Sequence, residues 1–236
     1  MTWRWSLACV VLVAGCGHDA ADREYLAALR GEEEGMTRQE QIALIDRAIA
    51  LKPERSWYYE TRAVYWIDLK QFPRALDDLD RDIALQPRPY AYFLRGLALC
   101  QAGAFERSLA DFDTAIAQQP INHQFYRGRS LARSATGNPT GALADAEHLV
   151  KNVPQQAESW YARGVALALL GRDAEAVADF DHAAGIRLDL VYIIEARADA
   201  FERIGQFDRA RADREAAAEL RKDKDGCAMC LDPFRY

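Results

Sequence analysis

Between Pro89 and Pro120 the apolar positions recur at helical spacing twice over. Tyr92, Gly96 and Leu99 fall at i, i+4 and i+7 on one stripe, and Phe105, Leu109, Phe112, Ala115 and Ile116 form a second. Gly103 lies between them, where a helix stops and the backbone turns with no Cβ in the way. The pattern predicts two amphipathic helices and a tight turn. Neither helix buries its stripe alone, and the folded pair still leaves one face open, so the unit requires copies of itself.

The copies are present. Pro53, Pro87, Pro120 and Pro154 close successive blocks at intervals of 34, 33 and 34 residues. The block tails are alike: RAIALKP, RDIALQP, TAIAQQP and the more divergent HLVKNVP. Tyr92, Gly96, Leu99, Gly103, Phe105, Phe112, Ala115 and Pro120 carry the pattern of this unit, and Trp160, Gly164, Leu167, Gly171, Ala176, Phe180 and Ala183 repeat it further on. This pattern resembles the tetratricopeptide repeat family, whose unit is a helix–turn–helix of about 34 residues. The resemblance implies an all-α fold, a right-handed α-solenoid of about six such units.

Taken in order, residues 16–55 form a degenerate first repeat that caps the stack, with Tyr25, Leu26 and Leu29 on its first helix. Thr37 and Glu40 read there as a capping box, and Ile42, Leu44, Ile45, Ala48 and Ile49 follow as its second helix. Four units follow at 56–87, 89–120, 121–154 and 157–188, then a terminal one at 191–224 whose last helix is charged over most of its surface. The unit at 121–154 is irregular. Gly128 matches Gly96, yet Gly137 comes nine residues later instead of seven, which predicts a two-residue insertion in or just after its first helix. Gly185 is expected to break its second helix late in the following unit.

Counting outward from each turn gives a second regularity. Arg95 and Asp111 lie eight residues either side of Gly103, Arg163 and Asp179 flank Gly171 in the same way, and Arg197 and Asp213 flank Gly205. Arg62 and Asp78 stand at these distances from Lys70. In an antiparallel hairpin, equal distance from the turn means equal height, so each pair meets between its own helices. That favours ion pairs fixing helix register over a ladder of arginines presented to a ligand. For Asp145 there are two candidates, Arg127 by motif and Arg129 by turn distance, and the one left over is open to a ligand.

The first residues change the picture of where the array resides. MTWRWSLACVVLVAGC carries one basic residue, Arg4, and an apolar run from Leu7 to Ala14, too short to span a bilayer and suited to the core of a secretory signal. Val13-Ala14-Gly15-Cys16 resembles the lipobox of bacterial lipoproteins. That resemblance implies removal of residues 1–15, acylation at Cys16 and attachment to a membrane of the bacterial cell envelope. Gly17 in place of Asp directs the expectation to the periplasmic face of the outer membrane. The net charge of −6 excludes a general nucleic-acid binder, since phosphate recognition needs a basic surface.

No catalytic constellation is legible, and no cofactor is implied. The four histidines, His18, His123, His148 and His182, are assigned to different units without metal-ligand spacing. Cys227 and Cys230 form a CxxC pair with no following His. Its reading in an oxidising compartment is a small disulfide loop, with thiol–disulfide or metal handling as the alternative.

Tetratricopeptide arrays bind peptides or protein segments on the face lined by their first helices. Carried onto this sequence, the resemblance implies a groove formed by Trp57 and Glu60; Tyr90, Phe93 and Leu97; Asn122, Phe125, Arg129 and Arg133; Glu158, Tyr161 and Val165; and Tyr192, Glu195 and Asp199. The function expected is a non-enzymatic scaffold with a protein or peptide partner in the envelope. Self-association through the same aromatic face, giving a homodimer, is the third reading.

Overall fold

The computed structural model describes residues 19–223. Cys16, the signal segment before it and the Cys227/Cys230 pair lie outside the described residues. Within them, helices follow one another with no strand: α1 (Ala20–Arg30), α2 (Arg38–Leu51), α3 (Ser56–Asp68), α4 (Phe72–Leu85), α5 (Pro89–Gln101), α6 (Phe105–Gln118), α7 (His123–Ala135), α8 (Pro139–Asn152), α9 (Ala157–Leu169), α10 (Asp173–Ile186), α11 (Val191–Arg203) and α12 (Phe207–Asp223). The chain is an all-α solenoid of helical hairpins. It divides into two compact units at Ala98/Leu99.

Local chemistry sets each boundary. The Thr37 amide donates to Glu40 Oε2 at 2.7 Å and the Glu40 amide donates to Thr37 Oγ1 at 3.3 Å, closing the capping box at the start of α2. Asn138 Oδ1 accepts from the Gly141 amide at 2.9 Å, with Pro139 as the first helical residue of α8. At the turns, the amides of Gln71, Ala104, Asn138, Arg172 and Gln206 each donate to the carbonyl five residues back, at 2.8–2.9 Å. That bond requires a left-handed residue just before it. Gly103, Gly137, Gly171 and Gly205 supply it at φ of 74–77°, and Lys70 takes the same conformation at φ 56° despite its Cβ.

The hairpin at 121–154 carries no insertion. First helix α7 has 13 residues and second helix α8 has 14, matching α9 and α10. What differs is the glycine. A Cβ at Gly164 would lie 2.6 Å from Phe180 in its own hairpin, whereas one at Gly128 would lie 2.6 Å from Phe112 in the preceding hairpin. Gly128 therefore answers an inter-hairpin contact and does not mark the register of Gly164. Ser130 holds that place, fully buried, with its hydroxyl donating to the Ala142 carbonyl at 2.9 Å. Gly185 does not break α10, which runs through it to Ile186.

In the first unit Tyr25, Ile42, Ile45, Ala48, Tyr58 and Tyr65 are buried together. In the second, Leu167, Val177, Phe180 and Phe201 form one cluster and Ala183, Leu190, Tyr192 and Ile193 another.

The aspartates are the conspicuous exception to an apolar core. Arg62 donates from Nε and Nη2 to both Asp78 oxygens at 2.8 and 2.6 Å. Arg163 makes the same fork with Asp179 at 2.7 and 2.7 Å, and Arg197 with Asp213 at 2.8 and 2.7 Å. In the hairpin at 121–154 the partner of Asp145 is Arg129, at 2.9 and 2.7 Å, as turn distance requires. Arg133 adds a third bond to Asp145 at 2.8 Å.

The fork is half of a longer pattern. On four of the second helices an outer acid reaches the arginine of the next hairpin: Asp80, Asp113 and Asp181 stand two residues beyond Asp78, Asp111 and Asp179, and Asp46 stands two beyond Leu44. Asp46 accepts from Arg62 at 2.5 Å, Asp80 from Arg95 at 2.7 Å, Asp113 from Arg129 at 2.6 Å and Asp181 from Arg197 at 2.9 Å. Arg62, Arg129 and Arg197 each hold one carboxylate inside their hairpin and one across to the hairpin before it. The inner carboxylates are buried and the outer ones are 43–63% exposed, so the two rungs differ in energy.

Hairpin 121–154 also joins two of the histidines. His123 and His148 sit in one unit, with ring centroids 5.4 Å apart, and His148 stacks on Tyr126 at 4.1 Å. Burial holds the His148 pKa below its ordinary 6.5, with His123, Lys151 and Arg129 adding to the effect and Asp145 opposing it.

Removing a buried carboxylate strands its arginine. Asp179→Ala should cost about 2 kcal/mol of unfolding free energy, and Asp181→Ala less than about 1 kcal/mol, by urea denaturation of each variant. The folded-state pKa of His148 lies below the unfolded value, so its contribution is intact above pH 6.5 and stability is lost as the pH falls below that. Urea midpoints at about pH 7 and about pH 5.5 should differ less for His148→Phe, which keeps the ring stack, than for the wild type.

Candidate interaction face of the first helices

The hairpin register fixes which first-helix side chains line the outer face. In the first unit α3 presents Trp57, 36% exposed, with the Arg55 guanidinium 5.0 Å over its ring. Glu60, one turn on, is held by Arg88, whose Nη2 donates to Glu60 Oε2 at 2.7 Å and to Asp82 Oδ1 at 2.8 Å. Burial raises the pKa of both acids above the usual carboxylate range, with Arg88 pulling the other way. Tyr90 of α5 is half-buried and packs on Phe93 at 5.8 Å between ring centroids.

In the second unit the corresponding positions are Gln124, Arg127 and Leu131 on α7, Glu158, Tyr161 and Val165 on α9, and Tyr192, Glu195 and Asp199 on α11. The Tyr161 ring is half-buried, 4.7 Å and edge-on from Tyr192 and 6.0 Å from Phe180. Burial raises the Tyr192 pKa well above that of an ordinary phenol, with Glu158 adding to the effect and Arg127 opposing it. At the end of this face Arg221 holds Glu195 and Arg214 holds Asp199, so α12 neutralises the acids of α11.

Several expected groove residues are elsewhere. Phe93 at 1%, Phe125 at 0% and Tyr192 at 8% exposure are core side chains, because these rings fill the gaps between helices. Arg129 and Arg133 both bond to Asp145, so they belong to the ladder and not to the groove. The groove set Asn122, Phe125, Arg129 and Arg133 came from reading Gly128 as the equivalent of Gly96. The turn at Gly137 shifts the set by two residues, to Gln124 and Arg127. Trp57 and Tyr90 in the first unit and Tyr161 in the second keep exposed surface on their first helices. Arg88 was not singled out from the sequence; it lies in the connection before α5, where only the fold brings it to Glu60.

Comparison with known proteins agrees with this architecture. The family model for the tetratricopeptide repeat matches residues 61–123 and 127–187, more than half of the chain. Tetratricopeptide repeat protein 28 of Homo sapiens is 34% identical over 88 residues, which is 37% of this chain and 4% of that protein, and its Mus musculus counterpart matches to the same extent. A tetratricopeptide repeat protein from Parabacteroides merdae shares the fold at a TM-score of 0.74 and 17% identity, covering 97% of this chain and 90% of that one. PilW, described as a widely conserved type IV pilus biogenesis factor, gives 0.69 at 16% identity over 92% of this chain and 98% of its own. YrrB, described as having an unusual peptide-binding site, gives 0.55 at 17% identity over 79% and 94%. The repeated hairpins, their register and the matched segments together show that the chain belongs to the tetratricopeptide repeat family.

Proposed function

We propose that this chain is a non-enzymatic scaffold of the bacterial cell envelope, lipid-anchored through Cys16, that takes an extended peptide or protein segment on its first-helix face. The family supplies the coarser part, since tetratricopeptide folds serve protein partners. The finer part rests on one observation. The ladder arginines, Arg62, Arg95, Arg129, Arg163 and Arg197, are each bonded to carboxylates, while Trp57 and Tyr90 in the first unit and Tyr161 in the second retain exposed aromatic surface on their first helices. Aromatic rings offer contact area at low entropic cost and concentrate binding energy. YrrB, described as having an unusual peptide-binding site, offers a precedent for a peptide site on this fold, and PilW, described as a type IV pilus biogenesis factor, a precedent for a role in pilus biogenesis.

Two experiments test the two parts. Affinity capture from envelope extracts should lose at least about tenfold of the retained partner on Trp57→Ala/Tyr90→Ala or on Tyr161→Ala. Phe207→Ala, which removes a ring 68% exposed outside the face, should leave capture unchanged. Equal capture by all variants of wild-type stability rules out the face. The anchor is tested by fractionation, where Cys16→Ser should move the protein from the membrane to the soluble fraction. A variant that stays with the membrane contradicts lipidation.

A further inference from the structure

One rung of the charge ladder is missing, and a cavity opens where it should be. Arg163 forks onto Asp179, but the outer acid of α8 is Glu147, which makes no hydrogen bond or ion pair among the described residues. Beside it lies a cavity of about 260 Å³ bounded by Leu143 and Glu147 of α8, Arg163 and Leu167 of α9, Arg172 of the turn, and Glu175, Ala178 and Asp179 of α10.

Two other hairpins show how such a space is filled where its floor is a ring. Leu167 is the eleventh residue of its helix, and the eleventh residues of α3 and α11 are Trp66 and Phe201. Each of those rings carries an arginine from the third position of the following helix: Arg74 lies 4.7 Å over Trp66 and Arg209 lies 4.1 Å over Phe201. Arg209 also comes within 3.8 Å of Asp181, the acid that corresponds to Glu147. In hairpin 121–154 the eleventh residue is itself an arginine, Arg133, bonded to Asp145 and to the Gly141 carbonyl. In hairpin 157–188 the ring is replaced by the smaller Leu167, and the third position of α10 is Glu175. No arginine is stacked on the floor here: Arg163 is forked onto Asp179 and Arg172, which also lines the space, is bonded at two points to Glu175, so the apolar floor and the Glu147 carboxylate are left without a stacked cation.

Charge balance gives the sign of the missing group. Arg163 is matched by Asp179, and Arg172 by a two-point pair with Glu175 at 2.7 and 2.7 Å. Glu147 is left over as one net negative charge in the lining.

We infer that this cavity is a second binding site, away from the first-helix face, that receives an arginine or lysine side chain of a partner protein. The alkyl stem lies on Leu143, Leu167 and Ala178, and the cationic head meets Glu147, in the manner of Arg209 on Phe201 and Asp181.

Acetyl-arginine amide, titrated into the protein and followed by NMR, should shift the methyl resonances of Leu143, Leu167 and Ala178 in the millimolar range. Its neutral isostere, acetyl-citrulline amide, should not. Glu147→Gln should weaken binding at least about threefold, as expected for a partly exposed ion pair. Leu167→Phe/Glu175→Arg, which rebuilds the filling seen at Phe201 and Arg209, should abolish it. Circular dichroism melting of each variant establishes that it is folded. No shift with the arginine probe, equal shifts with citrulline, or unchanged binding to the folded double variant would each overturn the assignment.

Discussion

A carboxylate buried between two helices must be bonded or neutralised, and this constraint organises the chain. Asp78, Asp145, Asp179 and Asp213 each accept both prongs of an arginine at the same height on the facing helix. A slip of one helix along the other would leave both charges without a partner in a poorly solvated place, at a cost well above the net worth of the pair. The fork therefore acts mainly against misregister, while apolar burial of rings such as Phe180 and Phe201 supplies the cohesion. The outer acids extend the same arginines to the preceding hairpin, so repeats are joined by charge as well as by packing. A solenoid whose units touch only their neighbours depends on such nearest-neighbour terms.

The ladder also decides what the array can present. An arginine committed to two carboxylates is a poor ligand for a third, so the charge along the middle of the hairpins is inward-looking. In the function proposed here, recognition falls to side chains outside the ladder: exposed rings on the first helices, and the places where the pattern lapses. The lapse at Glu147 is of that kind. A longer acid, a smaller floor residue and the loss of one arginine coincide in a single hairpin and leave space bounded by a carboxylate.

Much of the fold was legible in the sequence because the repeat period, the turn glycines and the helical spacing all report on local backbone geometry. The inner ion pairs were legible for the same reason, since distance from the turn is distance along the helix. The outer rungs are less legible. Their signal was present in the acid two residues beyond each inner aspartate, as in Asp111-Phe112-Asp113 and Asp179-Phe180-Asp181. Register in hairpin 121–154 was misread because Gly128 was aligned by residue type. Its glycine serves Phe112 of the neighbouring hairpin, a contact that no count along the chain contains. The site was the least legible part. Phe93 and Phe125 occupy stripes that alternate between groove and gap, and packing between helices, which a single sequence does not encode locally, buried both.

The central claim is that the arginine ladder couples one hairpin energetically to the next. A double-mutant cycle on Arg129 of α7 and Asp113 of α6, with Arg129→Met and Asp113→Asn read by equilibrium unfolding in low salt, measures that coupling directly. The account predicts a favourable interaction energy of about 0.5–1 kcal/mol that shrinks as salt is added. Strict additivity of the two substitutions at low salt would contradict it.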